Sequence, residues 1–344
     1  MTKQSRYRGV VAPMVTPFSN GGEIDLEAAT RVTEHLVAAG VAPFPLGTTG
    51  EAVSIAPEAR AEFVATVVRH SGHRTVVYVG ISDNCLAVSI EMAKRYADLG
   101  VDVAVAHLPT CYPLGDDEIK GYYEELAQRI PLPLMMYNIP VTTGMSISLD
   151  TLEHLSRHPN IVGLKDSEKN TERLQQAMFL WKDRVDFVHM MGCGALCALA
   201  LQMGSDGIVP GAANVAPRLF ADLYEAGSNG RQEESLRLQE LADGISAIFH
   251  TNRTLSQSLP TLKAMMHLLG FCQAEVLPPL RTLTSSQLQA VSKELAALKR
   301  VLGKEGYTMS GPASTIPIPT RETRHPGKDA GVRDIAPVRG DRQS

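Results

Sequence analysis

The sequence predicts an α/β fold, a (β/α)8 TIM barrel followed by a C-terminal helical extension. Three observations carry that expectation. Eight short, nearly continuous apolar runs alternate with amphipathic helical stretches, as parallel strands buried on both faces require. The C-terminal ends of the runs fall about 20 to 33 residues apart, one strand–helix–loop unit each time. The first βα loop reads Met14-Val15-Thr16-Pro17-Phe18 and lacks the glycine-rich phosphate loop of an open doubly wound sheet.

The strands are expected at Gly9–Met14, Pro43–Gly47, Thr75–Gly80, Asp102–His107, Pro133–Tyr137, Ile161–Lys165, Asp186–Met190 and Gly207–Val209. Between the third and fourth, Leu86, Ile90, Ala93 and Ala97 recur at helical spacing. The next helix opens on Asp116-Asp117-Glu118, acidic residues that suit the positive end of a helix. The catalytic barrel is expected over residues 1–215. Residues 216–302 carry helical periodicity without strands and read as a helical extension of the same domain. Its last helix has a Thr284/Gln287 capping box, a Leu283–Leu288 staple and one apolar stripe through Leu288, Val291, Leu295, Leu298 and Leu302. Residues 303–344 shift to Pro, Gly, Ser, Thr and charges, a composition expected of a disordered tail.

Composition narrows the function. The 344 residues carry a net charge of −4 with no basic stripe, which argues against nucleic acid as partner. No apolar run approaches the roughly 20 residues needed to span a bilayer, and the first residues lack a signal-peptide core, so the cytoplasm is the expected compartment. Five scattered cysteines make no disulfide framework. Cys193 and Cys197 stand at i, i+4 without further ligands at metal-site spacing and read as packing residues; no metal site is expected.

In such a barrel chemistry sits at the C-terminal ends of the strands. Those ends hold Gly47-Thr48-Thr49-Gly50-Glu51, Pro109-Thr110-Cys111-Tyr112-Pro113, Tyr137-Asn138-Ile139-Pro140, Lys165-Asp166-Ser167, Gly192-Cys193-Gly194 and Val209-Pro210-Gly211. This is a set for amine and proton chemistry, with backbone amides free to hold an anion. A lysine at its ordinary pKa of about 10.4 is neutral in about one molecule in 2,500 at pH 7. Burial in a barrel mouth lowers that pKa and frees the nucleophilic amine. On position alone Lys165 reads more readily as a partner of Asp166 or Glu168, and Tyr137 and Tyr112 as rim or core residues. Their company shifts the reading: Tyr137 ends the adjacent strand, Thr48 is placed to bridge it to Tyr112, and exposed amides around Gly47 suit a carboxylate.

Together these motifs resemble the dihydrodipicolinate synthase and N-acetylneuraminate lyase family, pyruvate-binding class I aldolases, from about Gly9 to Thr284. The resemblance implies that Lys165 forms an imine with pyruvate and that Tyr137 is the general acid/base. It implies that Gly47, Thr48 and Thr49 hold the carboxylate, that Tyr112 serves a neighbouring subunit's site, and that the Val209 carbonyl faces the lysine. It further implies a homotetramer built as a dimer of dimers and no metal or organic cofactor, the imine being the electron sink.

One departure bears on the substrate. In dihydrodipicolinate synthases the run after the tyrosine carries an arginine that clamps aspartate semialdehyde, and here Thr142 occupies that place. The sequence therefore favours a pyruvate-dependent lyase that reversibly cleaves a 2-keto-3-deoxy sugar acid to pyruvate and an aldehyde. The alternatives are 4-hydroxy-tetrahydrodipicolinate synthase itself, a keto-deoxy acid dehydratase, and an inactive ligand-binding paralogue. A second departure, two prolines in Ala42-Pro43-Phe44-Pro45-Leu46, has no functional explanation in the sequence.

Overall fold

The structure, a computed structural model, describes residues 6–309 and 311. Eight parallel strands form one sheet in the order β2-β1-β8-β7-β6-β5-β4-β3. They are β1 (Gly9–Pro13), β2 (Ala42–Phe44), β3 (Tyr78–Gly80), β4 (Val103–His107), β5 (Leu134–Asn138), β6 (Ile161–Asp166), β7 (Val188–Met191) and β8 (Gly207–Ile208). Helices α1 (Leu26–Ala38), α2 (Pro57–Ser71), α3 (Leu86–Asp98), α4 (Asp116–Arg129), the short α5 (Pro140–Thr143), α6 (Leu149–Leu155), α7 (Thr171–Trp181) and α8 (Cys197–Gln202) lie between them. The (β/α)8 barrel is as expected, and nearly every strand residue is buried.

The seam between β2 and β3 differs from the other seven. Its strands are shorter than expected and no ladder joins them. The prolines explain why: Pro43 and Pro45 have no N–H to give, and Leu46 turns into the left-handed region at φ 59°. One bond closes the ring instead, from the Gly80 N–H to the Pro45 carbonyl at 3.1 Å. At this approach a Cβ on Gly80 would sit 1.9 Å from the Leu46 carbonyl oxygen, so only glycine fits. The prolines thus end the second strand early and release its loop into the barrel mouth.

Inside the barrel Val11, Phe44, Tyr78, Val105, Met135, Tyr137, Val188, Met190 and Val209 make a separate inner core. The larger core lies between strands and helices. After β8, α9 (Pro217–Ser228) packs on β1 and completes the eighth unit. Helices α10 (Gln232–His250), α11 (Leu255–Leu268) and α12 (Ser285–Lys304) follow. The Thr284/Gln287 capping box forms as predicted, and Val291, Leu295 and Leu302 of the predicted stripe are buried. Beyond residue 311 the expected tail lies outside the described residues. Among the described residues no helix is long and apolar enough to cross a membrane. Cys197 is buried and Cys193 half-buried, and no group of three metal-ligating side chains occurs among the described residues.

Candidate active site

Strand register assembles the centre of the site. His107 on β4 pairs with Tyr137 on β5, and Tyr137 pairs with Lys165 on β6. The three residues therefore form one row across adjacent strand ends. Because strand residues alternate faces, Lys165 points inward while its neighbour Asp166 points to the helix layer. There Arg173 takes Asp166, its Nε donating to Oδ2 at 2.8 Å, and it also lies 3.5 Å from Glu168. Lys165 pairs with neither carboxylate. Asn138 ties the two motifs together by donating to Asp166 at 2.9 Å and to Glu168 at 3.1 Å.

Lys165 is 4% exposed, and its Nζ lies 3.7 Å from the centroid of the Tyr137 ring and 5.0 Å from that of Phe44. Burial pushes its pKa below the ordinary lysine value, and the Tyr137 phenol offsets this in part. Aromatic faces steady a cation by their quadrupole but give no proton acceptor as strong as a carboxylate. The result is a buried amine in an aromatic socket, its pKa shifted toward the neutral form.

The loop after β2 folds over this socket. The Gly50 N–H donates to the Gly47 carbonyl at 3.0 Å and the Glu51 N–H to the Thr48 carbonyl at 3.1 Å. These turns leave the N–H groups of Thr48 and Thr49 without an acceptor among the described residues. Glu51 sits in the left-handed region at φ 57° and is held there from the C-terminal extension. Lys263 of α11 donates to Glu51 Oε1 at 2.8 Å and to the carbonyls of Thr16 and Glu275, and the Leu277 N–H donates to Glu51 Oε2 at 2.9 Å.

A cavity of about 570 Å³ opens beside the row. Gly47, Thr48, Tyr137 and Thr142 line it, together with His107, Ser82 and Asn84. Leu255 and Leu259 of α11 and Leu280 form an apolar wall. The Thr142 hydroxyl donates to the Ile139 carbonyl at 3.2 Å, so its oxygen is left as an acceptor at the cavity edge. Thr49 is half-buried on the same loop as Thr48. Val209 is buried in the inner core beside Met190. Tyr112 is different: it is 71% exposed on the rim, and among the described residues no hydrogen bond joins it to Thr48 or Tyr137. Within one chain the Tyr137–Thr48–Tyr112 relay is not assembled.

Sequence reasoning missed His107, Phe44 and Lys263. His107 had a signal, since it ends an apolar strand just as Tyr137 does. Lys263 had a fainter one, a lone charge in the run Leu262-Lys263-Ala264-Met265-Met266. Phe44 was hidden by the flanking prolines.

Comparisons with known proteins show the family. The sequence profile of the dihydrodipicolinate synthetase family matches residues 6–298. A DapA-like lyase of Thermofilum pendens is 29% identical over 87% of this chain and 98% of that relative. The 4-hydroxy-tetrahydrodipicolinate synthase of Phenylobacterium zucineum is 29% identical over 85% of this chain and 97% of its own length. The solved dihydrodipicolinate synthase of Bacteroides thetaiotaomicron superposes with a TM-score of 0.81 at 34% identity, covering 86% of this chain and 99% of that one. The chain belongs to the dihydrodipicolinate synthetase family and is a lyase of the class I aldolase type.

Proposed function

We propose that the protein is a pyruvate-dependent aldolase that reversibly cleaves a 2-keto-3-deoxy sugar acid. The observation that carries this reading is a buried lysine amine, stacked on Tyr137 beside two loop amides, with neither a carboxylate partner for the amine nor acceptors for the amides among the described residues. The neutral Lys165 amine attacks the C2 carbonyl of the keto acid, and loss of water leaves a cationic imine. The Thr48 and Thr49 N–H groups receive the substrate carboxylate. Loss of the C4 hydroxyl proton breaks the C3–C4 bond and releases the aldehyde, while its electron pair enters the imine as an enamine. Tyr137 protonates C3 and hydrolysis frees pyruvate. The imine supplies the electron sink, so the reaction calls on no metal or organic cofactor. A homotetramer in which Tyr112 of one subunit reaches a neighbour's site accounts for its exposure on the rim. The cytoplasm is the compartment this reading assigns.

The cavity suits a neutral polyhydroxylated aldehyde, with Ser82, Asn84, His107 and Thr142 offering hydrogen bonds and no arginine at position 142. One observation favours a second reading, condensation of pyruvate with aspartate semialdehyde. Arg60 also lines the cavity, is buried, and has no carboxylate partner among the described residues; its Nε donates to the Ile55 carbonyl at 2.9 Å. Borohydride reduction in the presence of pyruvate, followed by mass spectrometry, tests the imine: the adduct is expected on Lys165 and disappears in Lys165→Ala. Pyruvate release across keto-deoxy acids then tests the substrate. Consumption of aspartate semialdehyde alone would replace the first reading by the second.

A further inference from the structure

His107 occupies the third place in the row of strand ends that holds Tyr137 and Lys165. Its ring meets the Tyr137 ring edge-on, with centroids 6.1 Å apart. Its backbone N–H donates to Ser82 Oγ at 2.8 Å, which fixes the strand end against the loop after β3. Its Nδ1 lies 2.8 Å from the Leu108 carbonyl. A carbonyl only accepts, so Nδ1 carries the proton and a neutral ring presents Nε2 as an acceptor. Nε2 has no protein partner among the described residues, and the residue lines the cavity.

We propose that His107 is a further catalytic residue, the base that takes the proton from the hydroxyl on the carbon that becomes the aldehyde. This rests on the imine reading of Lys165. In the cleavage direction the Nε2 lone pair accepts the C4 hydroxyl proton as the C3–C4 bond breaks. That bond's electron pair flows into the imine, the carbonyl of the aldehyde forms, and the imidazolium later returns its proton to solvent. Tyr137 is thereby left to handle the proton on C3, and the two proton transfers of the reaction fall to two different groups. The groups that face His107 are compatible with this role. Burial lowers the His107 pKa and favours the neutral ring, the hydrogen bond to the Leu108 carbonyl opposes this, and a positive charge at Lys165 on β6, as in the cationic imine, lowers it further.

The test separates the two protons. Deuterium uptake into the methyl group of pyruvate in D2O reports imine and enamine formation at Lys165 and Tyr137. Cleavage of 2-keto-3-deoxygluconate, and condensation of pyruvate with D-glyceraldehyde, also require the hydroxyl proton. In the full-length protein, His107→Gln and His107→Phe are expected to lower kcat for cleavage by about a hundredfold or more. Methyl exchange should change little. Equal loss of exchange and cleavage would assign His107 a structural role and overturn the proposal, as would cleavage at the wild-type rate. If the wild-type protein exchanges the pyruvate methyl yet neither cleaves nor condenses these compounds, the His107 proposal fails while the imine stands. Absence of both exchange and borohydride trapping in the wild type removes the imine itself, and the proposal with it.

Discussion

Lys165 and Lys263 are buried to nearly the same degree, at 4% and 1% exposure, yet their surroundings are opposite. Lys263 reaches one carboxylate and two backbone carbonyls, which match the three protons of an ammonium. Lys165 has two aromatic rings and, among the described residues, no carboxylate. Desolvation disfavours a cation at both sites, but at Lys165 only the Tyr137 phenol opposes it, whereas at Lys263 a carboxylate and two carbonyls do. Burial alone therefore says little about reactivity. What distinguishes a nucleophilic lysine from a structural one is which protonation state the neighbours stabilise.

The largest expected effects lie at Lys165. Lys165→Ala is expected to abolish both pyruvate trapping and turnover while the fold persists, because its removal leaves no buried carboxylate without a cation. Circular dichroism and trapping mass spectrometry check the two halves of the claim. The pH dependence follows from the direction of the pKa change. A lowered pKa means that the neutral amine dominates from a lower pH than in an ordinary lysine. The rate of imine formation should rise about tenfold per pH unit on the acid side and level off below the ordinary lysine value of about 10.4. A rate still climbing beyond that point would show Lys165 to be as well solvated as a surface lysine and would break the contrast.

Lys263 should respond in stability instead. Lys263→Met leaves the Glu51 carboxylate buried with only the Leu277 N–H, and removing one partner of a buried pair costs about 3–5 kcal/mol. Urea denaturation measures this. The double variant Glu51→Gln/Lys263→Met should recover much of the loss, since it removes the unpaired charge. Both variants also free the loop that carries Thr48 and Thr49, so KM for pyruvate should rise more than kcat falls. A single variant as stable as the wild type would mean that the pair holds nothing in place.

The same contrast explains what the sequence made legible. Parallel strands buried on both faces write themselves as apolar runs, so all eight were visible, with errors of a few residues at β2, β3 and β7. The Pro43 and Pro45 positions looked anomalous because a strand was assumed to continue through them; the chain instead turns at Leu46 to free the loop. Lys165 and Tyr137 were visible because they end adjacent strands, a property local to the chain. The partners of Glu51 were not, because Lys263 lies 212 positions away and only the closed fold brings the two together. Tyr112 marks the other boundary of sequence reasoning. Its motif suggested a place in the relay, whereas its exposed rim position leaves it to the surface between subunits that the proposed tetramer would form.

The smallest expected effect concerns the cavity's charge, and Thr142→Arg sharpens it. Thr142 lies on α5 at the cavity edge, with its hydroxyl spent on the Ile139 carbonyl, so an arginine there extends into open space. The new guanidinium would resemble Lys165 and Arg60 in lacking a carboxylate partner, and a ligand carboxylate would complete it. A bidentate contact of this kind contributes about 1.5–3 kcal/mol, or roughly 10- to 150-fold in binding. On the sugar-acid reading, Thr142→Arg raises kcat/KM for aspartate semialdehyde by that factor and lowers it for the keto-deoxy acid. On the synthase reading Arg60 already holds the semialdehyde carboxylate. Thr142→Arg then gains little, and Arg60→Leu loses the factor instead. Steady-state kinetics of the two variants with both substrates decides which cation in the cavity is waiting for an anion.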